Sequence, residues 1–207
     1  VHAPITPLNE AKQLKSPKYM GILDTLPERR FDRITRLARR VFNAPIALVS
    51  LVDRDRQWFK SRQGLSTCET GREISFCGHA VLEARALVVC DALQDPRFLD
   101  NPLALGPPSI RFYAGRPIHS PDGSTVGTLC VIDQHARTLS LDDRATLADL
   151  AAMVDEEFSR LERPTTDQVT SLSNRRGFVM VAHHALAKCR RMPKPAVQED
   201  YADMPVL

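Results

Sequence analysis

The chain has 207 residues, 43% of them hydrophobic and 26% charged, with a net charge of +3. That is the composition of an ordinary globular domain, long enough to bury a core without metal or disulfide support. The charge excess is too small to argue for nucleic acid as a partner. No apolar run approaches the roughly 20 residues of a spanning helix, so no membrane insertion is expected.

Residues 1–22 read as an extension, with weak helical character over Asn9–Ile22 broken by Pro17 and Gly21. A first strong helix is expected after Thr25 as N-cap, with Pro27 in its first turn. Phe31, Ile34, Leu37, Ala38 and Val41 form its apolar face at helical spacing, and Arg29, Arg33, Arg36 and Arg40 the opposite, solvated face. Ile46–Asp53 is an apolar, β-branched strand, Asp53-Arg54-Asp55 a turn, and Arg56–Arg62 the return strand. The only tryptophan, Trp58, falls on that return strand, where core, pocket and dimer face are all open to it.

Gly64–Glu73 reads as loop. Ser75 can cap a short helix running to Ala84, and Leu87–Cys90 is a short strand. Asp91–Pro108, with four prolines, is a long irregular connection of the kind that often carries function, and Asn101-Pro102 sets a turn in it. Ile110–Ile118 and Thr125–Asp133 make a hairpin about Ser120-Pro121-Asp122-Gly123. Leu141–Arg163 is a long helix striped by Leu147, Leu150, Val154, Phe158 and Leu161 and stopped by Pro164. The order gives an α+β fold, a helix–sheet–helix sandwich with an antiparallel sheet: the end helices lie side by side on one face, and the inner helix and long loop cover the other.

The five cysteines (Cys68, Cys77, Cys90, Cys130 and Cys189) are odd in number, contain no C-x-x-C pair and read as reduced thiols of a cytoplasmic protein. Cys77 and His79 stand two apart and face apart on a helix, so a metal site would need further ligands from Cys90, Asp91 or Cys130, and none is assigned. Cys90 and Cys130 read as core residues of their strands. On the strand after the long loop, Arg111 and Tyr113 share one face and Phe112 takes the other. A half-buried Arg111 requires an anion, with Asp91, Asp95 and Asp133 at hand, so an Arg–Asp brace is favoured over a ligand contact. Arg97 and Phe98 on the loop stand in the same position.

Several motifs occur in series: Phe76-Cys77-Gly78-His79-Ala80, Val89-Cys90-Asp91-Ala92, Asp95-Pro96-Arg97-Phe98, Asn101-Pro102, Ile110-Arg111-Phe112-Tyr113-Ala114-Gly115 and Gly127-Thr128-Leu129-Cys130-Val131-Ile132-Asp133. Over about Leu23–Glu162 the chain resembles the GAF domains that precede histidine kinase and diguanylate cyclase domains in bacteria. The resemblance implies a six-stranded antiparallel sheet and a pocket for a small molecule under the inner helix, with the domain spanning residues 23–163. Candidate pocket residues are Cys77, His79, Asp91, Arg97, Phe98, Arg111, Tyr113 and Cys130. It names neither ligand nor cofactor.

Asp167-Gln168-Val169-Thr170-Ser171-Leu172-Ser173-Asn174-Arg175-Arg176-Gly177-Phe178 resembles the opening of a diguanylate cyclase (GGDEF) domain, with Ser171 where that family commonly has Gly. Residues 164–207 are therefore expected to be the start of such a domain, poorly ordered on its own. No two glycines are adjacent in the chain, so the phosphate-binding turn of a cyclase is missing and no cyclase activity is expected of these residues. The resulting expectation is a ligand-sensing domain that controls a cyclase output and forms a homodimer through its terminal helices. The alternatives are a thiol-dependent enzyme resembling methionine sulfoxide reductases and a ligand-free dimerisation module.

Overall fold

The computed structural model describes Pro4, residues 21–161, Phe178 and Ala182. The expectations for residues 1–20, for the cyclase-like stretch 164–207 and for Cys189 lie outside the described residues. The elements are α1 (Arg29–Val41), β1 (Ile46–Val52), β2 (Arg56–Gln63), β3 (Glu69–Gly71), α2 (Phe76–Ala80), β4 (Leu87–Val89), α3 (Pro102–Leu105), β5 (Phe112–His119), β6 (Thr125–Asp133) and α4 (Leu141–Ser159). All neighbouring strands pair antiparallel in one six-stranded sheet of order β3-β2-β1-β6-β5-β4. The expected sandwich is thus the observed fold.

Alternation along the central strands divides the core in two. Ala47, Val49, Leu51, Phe112, Ala114, Leu129 and Val131 pack with Phe31, Ile34 and Ala38 of α1 and with Leu147, Leu150, Val154 and Phe158 of α4. Ile46, Leu48, Tyr113, Cys130 and Ile132 face the other way, with Phe76, Cys77 and Ala80 of α2, Ala104 of α3 and Phe98 of the long loop. These are called here the helix face and the cavity face. Trp58 belongs to the helix face, and therefore to the core.

Several expected details are corrected. Helix α1 starts at Arg29, not after Thr25, because the Thr25 hydroxyl is engaged elsewhere: it donates to the Ile22 carbonyl (2.7 Å) and accepts from Lys60 Nζ (2.6 Å). Its buried face is Phe31, Ile34, Thr35 and Ala38, while Leu37 and Val41 are exposed. A polar residue takes an inward position because Thr35 Oγ1 shares a hydrogen bond with Ser61 Oγ at 2.8 Å. The arginine row is exposed as expected. The 64–73 segment contains β3, which pairs with β2. Helix α2 ends at Ala80 rather than Ala84. Asn101 does not merely set a turn: it N-caps α3, its Oδ1 accepting from Leu103 N at 2.9 Å, with Pro102 in the first turn.

Helix α4 is 19 residues long, ~28 Å at ~1.5 Å per residue, and ends at Ser159, before Pro164 is reached. The turn after it folds Leu161 back against the helix-face core. Its start is held by a reciprocal capping box between Ser140 and Asp143. Leu147, Leu150, Val154 and Phe158 are all buried within the chain, so this stripe leaves no uncovered seam for a second copy.

A lysine is built into the helix-face side. The β1–β2 register shifts between Val49 and Ser50, setting Lys60 out of the ladder and towards the start of α1. Its side chain is fully buried, with Nζ bonded to Glu28 Oε1 at 2.6 Å and to the Leu26 carbonyl at 3.0 Å. Burial pushes the Lys60 ammonium below its usual range despite the Glu28 partner. Burial pushes Glu28 up, yet the hydrogen bonds and charges of Lys60 and Arg30 outweigh it and hold the carboxyl below its usual range. The asymmetry is physical: Glu28 stays partly in water and gains from the pair, whereas Lys60 loses its whole hydration shell.

Candidate functional site

On the cavity face the side chains do not fill the space. A cavity of about 390 Å³ lies over β1, β2 and the ends of β5 and β6, walled by the 64–70 segment, α2 and the turn after α3. Its floor is Ile46, Leu48, Phe59 and Ile132; Phe76, Cys77 and Tyr113 close one side, and Leu65, Leu103, Pro107, Pro108 and Ile110 the other. The polar lining residues are Gln57, Ser66, Thr67, Thr70, Cys77 and Tyr113, and no charged residue of the described chain contributes. Thr67 Oγ1 already bonds the Glu69 carbonyl at 2.8 Å, and Gln57 Oε1 accepts from Ser75 Oγ. Thr70 Oγ1 is buried with no hydrogen-bond partner among the described residues.

The walls have local causes. Ser75 caps α2 by accepting from Gly78 N at 2.9 Å, which presents Phe76 and Cys77 to the sheet. Asn101 Nδ2 donates to the Ile74 carbonyl at 3.0 Å, tying the start of α3 to the segment that leads into α2. Tyr113 can fold back along β5 because residue 115 is glycine: a Cβ there would stand 2.1 Å from the Tyr113 hydroxyl oxygen.

The candidate residues separate into three groups. Cys77 and Tyr113 line the cavity, and Cys130 lies against Cys77. His79 and Phe98 are packing residues behind α2: Phe98 stacks on Phe76 with ring centroids 4.0 Å apart, and the His79 ring meets Phe98 edge-on at 4.9 Å. Asp91, Arg97 and Arg111 make braces away from the cavity. Arg111 grips Asp91 with both ends of its guanidinium, at 2.7 and 2.6 Å, so the brace takes the place of a ligand contact. Arg97 closes on Asp95 in the same fashion, at 2.9 and 2.6 Å, and lies over the Phe98 ring. Hydrogen bonding to these arginines holds Asp91 and Asp95 below the usual carboxylate range. Residues outside the motifs, above all Gln57, Leu65, Ser66, Thr67 and Thr70, supply the rest of the lining. A signal for them existed in the loop-like 64–73 stretch, whose closure over the sheet could not be read without the β2–β3 pairing.

Beside the cavity sits a buried cluster of sulfur and hydroxyl groups. The Cys77 and Cys130 sulfurs are 3.8 Å apart, and Tyr113 donates its hydroxyl to Cys77 Sγ at 3.3 Å. Ser50 and Thr128, directly paired across β1 and β6, point buried hydroxyls that find no hydrogen-bond partner of ordinary geometry among the described residues. Burial pushes the Cys77 thiol up, but its neighbours, Cys130 first and the Tyr113 donor among them, outweigh burial and hold it below the ordinary thiol range. The interaction with Cys77, and burial after it, drive Cys130 the other way. Burial raises Tyr113 well above its usual value, so it stays a donor. The expectation that Cys90 is a core residue fails: it is exposed, as is Cys68. Among the described residues no three His, Cys, Asp or Glu side chains converge as a metal site would need, and no helix is long and apolar enough to cross a membrane.

The family model for the GAF domain matches residues 26–156. Over 158 residues the chain is 40% identical to the cyclic di-GMP phosphodiesterase PA2567 of Pseudomonas aeruginosa, a match covering 75% of this chain and 27% of that protein. The chain thus spans about a quarter of the relative's length. Among solved structures, free methionine-R-sulfoxide reductase from Neisseria meningitidis superposes with a TM-score of 0.53 at 19% identity, covering 77% of this chain and 96% of the reductase. The GAF domain of an Acinetobacter phosphoenolpyruvate-protein phosphotransferase gives 0.51 at 14% identity, covering 72% and 94%. At such identities the structural likeness concerns the fold alone.

Proposed function

The chain belongs to the GAF domain family, and we propose that it is a regulatory domain of a bacterial signalling protein that senses an uncharged, mostly apolar small molecule. The observation that carries this reading is the cavity of about 390 Å³ with no charged lining residue and one unanswered buried hydroxyl, that of Thr70. The volume sits at the low end of the ~300–1,000 Å³ usual for ligand sites. A phosphate or carboxylate brought there would lose its water without gaining a counter-ion, at a cost of several kcal/mol. Nucleotides, cyclic di-GMP included, are therefore poor candidates for the ligand.

The output we assign is cyclic di-GMP turnover. Two observations support it: the relative that matches over 158 residues is named as a cyclic di-GMP phosphodiesterase, and residues 167–178 resemble the opening of a cyclase domain. Occupancy would reach the output through α1 and α4, which pack on the reverse face of the strands that floor the cavity, provided the ligand binds two arrangements of those helices unequally. A homodimer remains part of the proposal, and light scattering of the chain tests it.

A thermal-shift screen of neutral aliphatic and aromatic metabolites against a nucleotide set tests the ligand class. A ligand at 100 times its Kd adds ~2.7 kcal/mol, a shift of several degrees. A shift by nucleotides with none by neutral compounds would overturn the assignment. The output is tested by Thr70→Phe, which blocks the cavity, in the native gene: cellular cyclic di-GMP should change, and an unchanged level refutes that part.

A further inference from the structure

We propose that Cys77 and Cys130 form a peroxide-responsive dithiol, with Cys77 the attacking sulfur, Cys130 the resolving sulfur and the adjoining cavity the entry for a neutral hydroperoxide. The site stands on its own geometry and does not depend on which metabolite the cavity senses. Both sulfurs are buried and already in contact at 3.8 Å, yet only Cys77 borders the cavity. The cavity therefore adjoins Cys77 and not Cys130. The exposed Cys68 and Cys90 have no comparable setting: neither lines the cavity nor touches the sulfur pair.

The surroundings suit the first step. Tyr113 donates to Cys77 Sγ, so a developing thiolate is met by a donor in a buried setting. Uncharged walls admit a neutral hydroperoxide and handicap charged oxidants.

The chemistry balances without a further reagent. The Cys77 sulfur attacks the distal oxygen of the hydroperoxide and the O–O bond breaks. The hydroxyl stays on sulfur as a sulfenic acid, and the leaving oxygen takes the thiol proton and departs as alcohol, or as water from hydrogen peroxide. The Cys130 sulfur then attacks Cys77 Sγ, the S–OH bond breaks, and hydroxide leaves with the Cys130 proton as water. Two thiols and one hydroperoxide give a disulfide, an alcohol and water; sulfur is oxidised and the peroxide is reduced. The product ties α2, the cavity's side wall, to the central strand β6. Oxidation therefore reshapes the cavity in which the ligand would sit.

The test uses the full chain carrying Cys68→Ser, Cys90→Ser and Cys189→Ser, treated with one equivalent of hydrogen peroxide or tert-butyl hydroperoxide and mapped by non-reducing peptide mass spectrometry. The expected result is loss of both remaining thiols into a Cys77–Cys130 cross-link that dithiothreitol reverses. The faster of the two reagents identifies the source of the shared O–O chemistry. Adding Cys130→Ser should halt the reaction at a sulfenic acid on Cys77 that dimedone captures. Tyr113→Phe should slow it about tenfold, the rate equivalent of one hydrogen bond to a charged group. The same mapping on the unsubstituted chain guards against a folding effect of the serines. The proposal is overturned if Cys77 and Cys130 stay reduced in both proteins while free cysteine in the same tube is consumed, or if dimedone labels Cys130 first.

Discussion

The two faces of one sheet, built from alternate residues of the same strands, are finished in opposite ways. On the helix face, Phe31 and Phe158 meet at 5.5 Å over alanine, valine and leucine, and α1 and α4 close the layer with side chains fully out of water. On the cavity face, space is left over, hydroxyls stay unanswered, and the covering loop, which packs Phe98 and Ala104 inward, is also braced by ion pairs at Asp91 and Asp95. The difference teaches where stability and responsiveness reside. A packed layer has one arrangement, whereas a layer with a void and a braced cover can change with what enters it.

The contrast is broken most directly by truncating one side chain on each face. Phe158→Ala on the helix face should cost ~3–5 kcal/mol in urea unfolding, because nothing nearby can collapse into the hole. Leu103→Ala should cost about 1 kcal/mol, since Leu103 is half-buried and already borders empty space. A loss at Leu103 as large as that at Phe158, despite the smaller and less buried side chain, would mean the cavity face is the more tightly packed. Next in size is Gly115→Ala. Its Cβ would stand 2.1 Å from the Tyr113 oxygen, so the ring must leave its place against Cys77, at ~1–3 kcal/mol. The Tyr113 fluorescence and the reactivity of Cys77 should change with it, while α1 and α4 keep their amide protection.

The helix face was the more legible of the two in the amino-acid order. Leu147, Leu150, Val154 and Phe158 repeat at helical spacing, and β1 and β6 declare themselves by β-branched runs, so the layers and the two hairpins could be read before any coordinates, though not the β1–β6 pairing that joins them. Errors arose where a polar contact decided the outcome: Thr35 turns inward because Ser61 answers it, and Thr25 does not cap because Ile22 and Lys60 hold its hydroxyl. The site was legible only in part. Tyr113 and Cys77 were found through the motifs, and the Arg111–Asp91 brace through the need of a half-buried arginine for an anion. Thr70 and Leu65 were not, because the wall they make exists only once β3 closes on β2, which no local spacing announces.

Acid should separate the faces next, with a smaller effect. Asp91, Asp95 and Asp133 are held below the usual carboxylate range: hydrogen bonds to Arg111 and Arg97 lead for the first two, and at Asp133 His135 and Arg137 overcome burial. A carboxyl with a lowered folded value contributes stability in full above its ordinary value of 3.8 and loses it as pH falls through the folded one. On α4, Asp155 has the opposite sign, because burial raises it despite the bonds to His119; its protonation as pH falls favours the folded state. Lowering pH from 5 through the range just below ~4 should therefore lower the amide protection factors over residues 91–108 before it lowers those of α4. Simultaneous loss in both would show that the braces do not hold the cover.

The smallest change is the sharpest test of what the void is for. Thr70→Val keeps the shape of the side chain and replaces a buried hydroxyl that no described residue answers. If that hydroxyl is merely stranded, its removal stabilises the empty protein by up to ~1 kcal/mol, because an unmet buried polar group carries a desolvation penalty. If it is kept for a guest, the same substitution must also weaken the guest by the hydrogen bond withdrawn, roughly five- to tenfold in Kd. The pair of signs, apo stability up and affinity down, is the signature of a polar group retained for binding. A rise in stability with affinity unchanged would place the guest's polar end at Gln57 or Tyr113, and a fall in stability would show that water already satisfies Thr70.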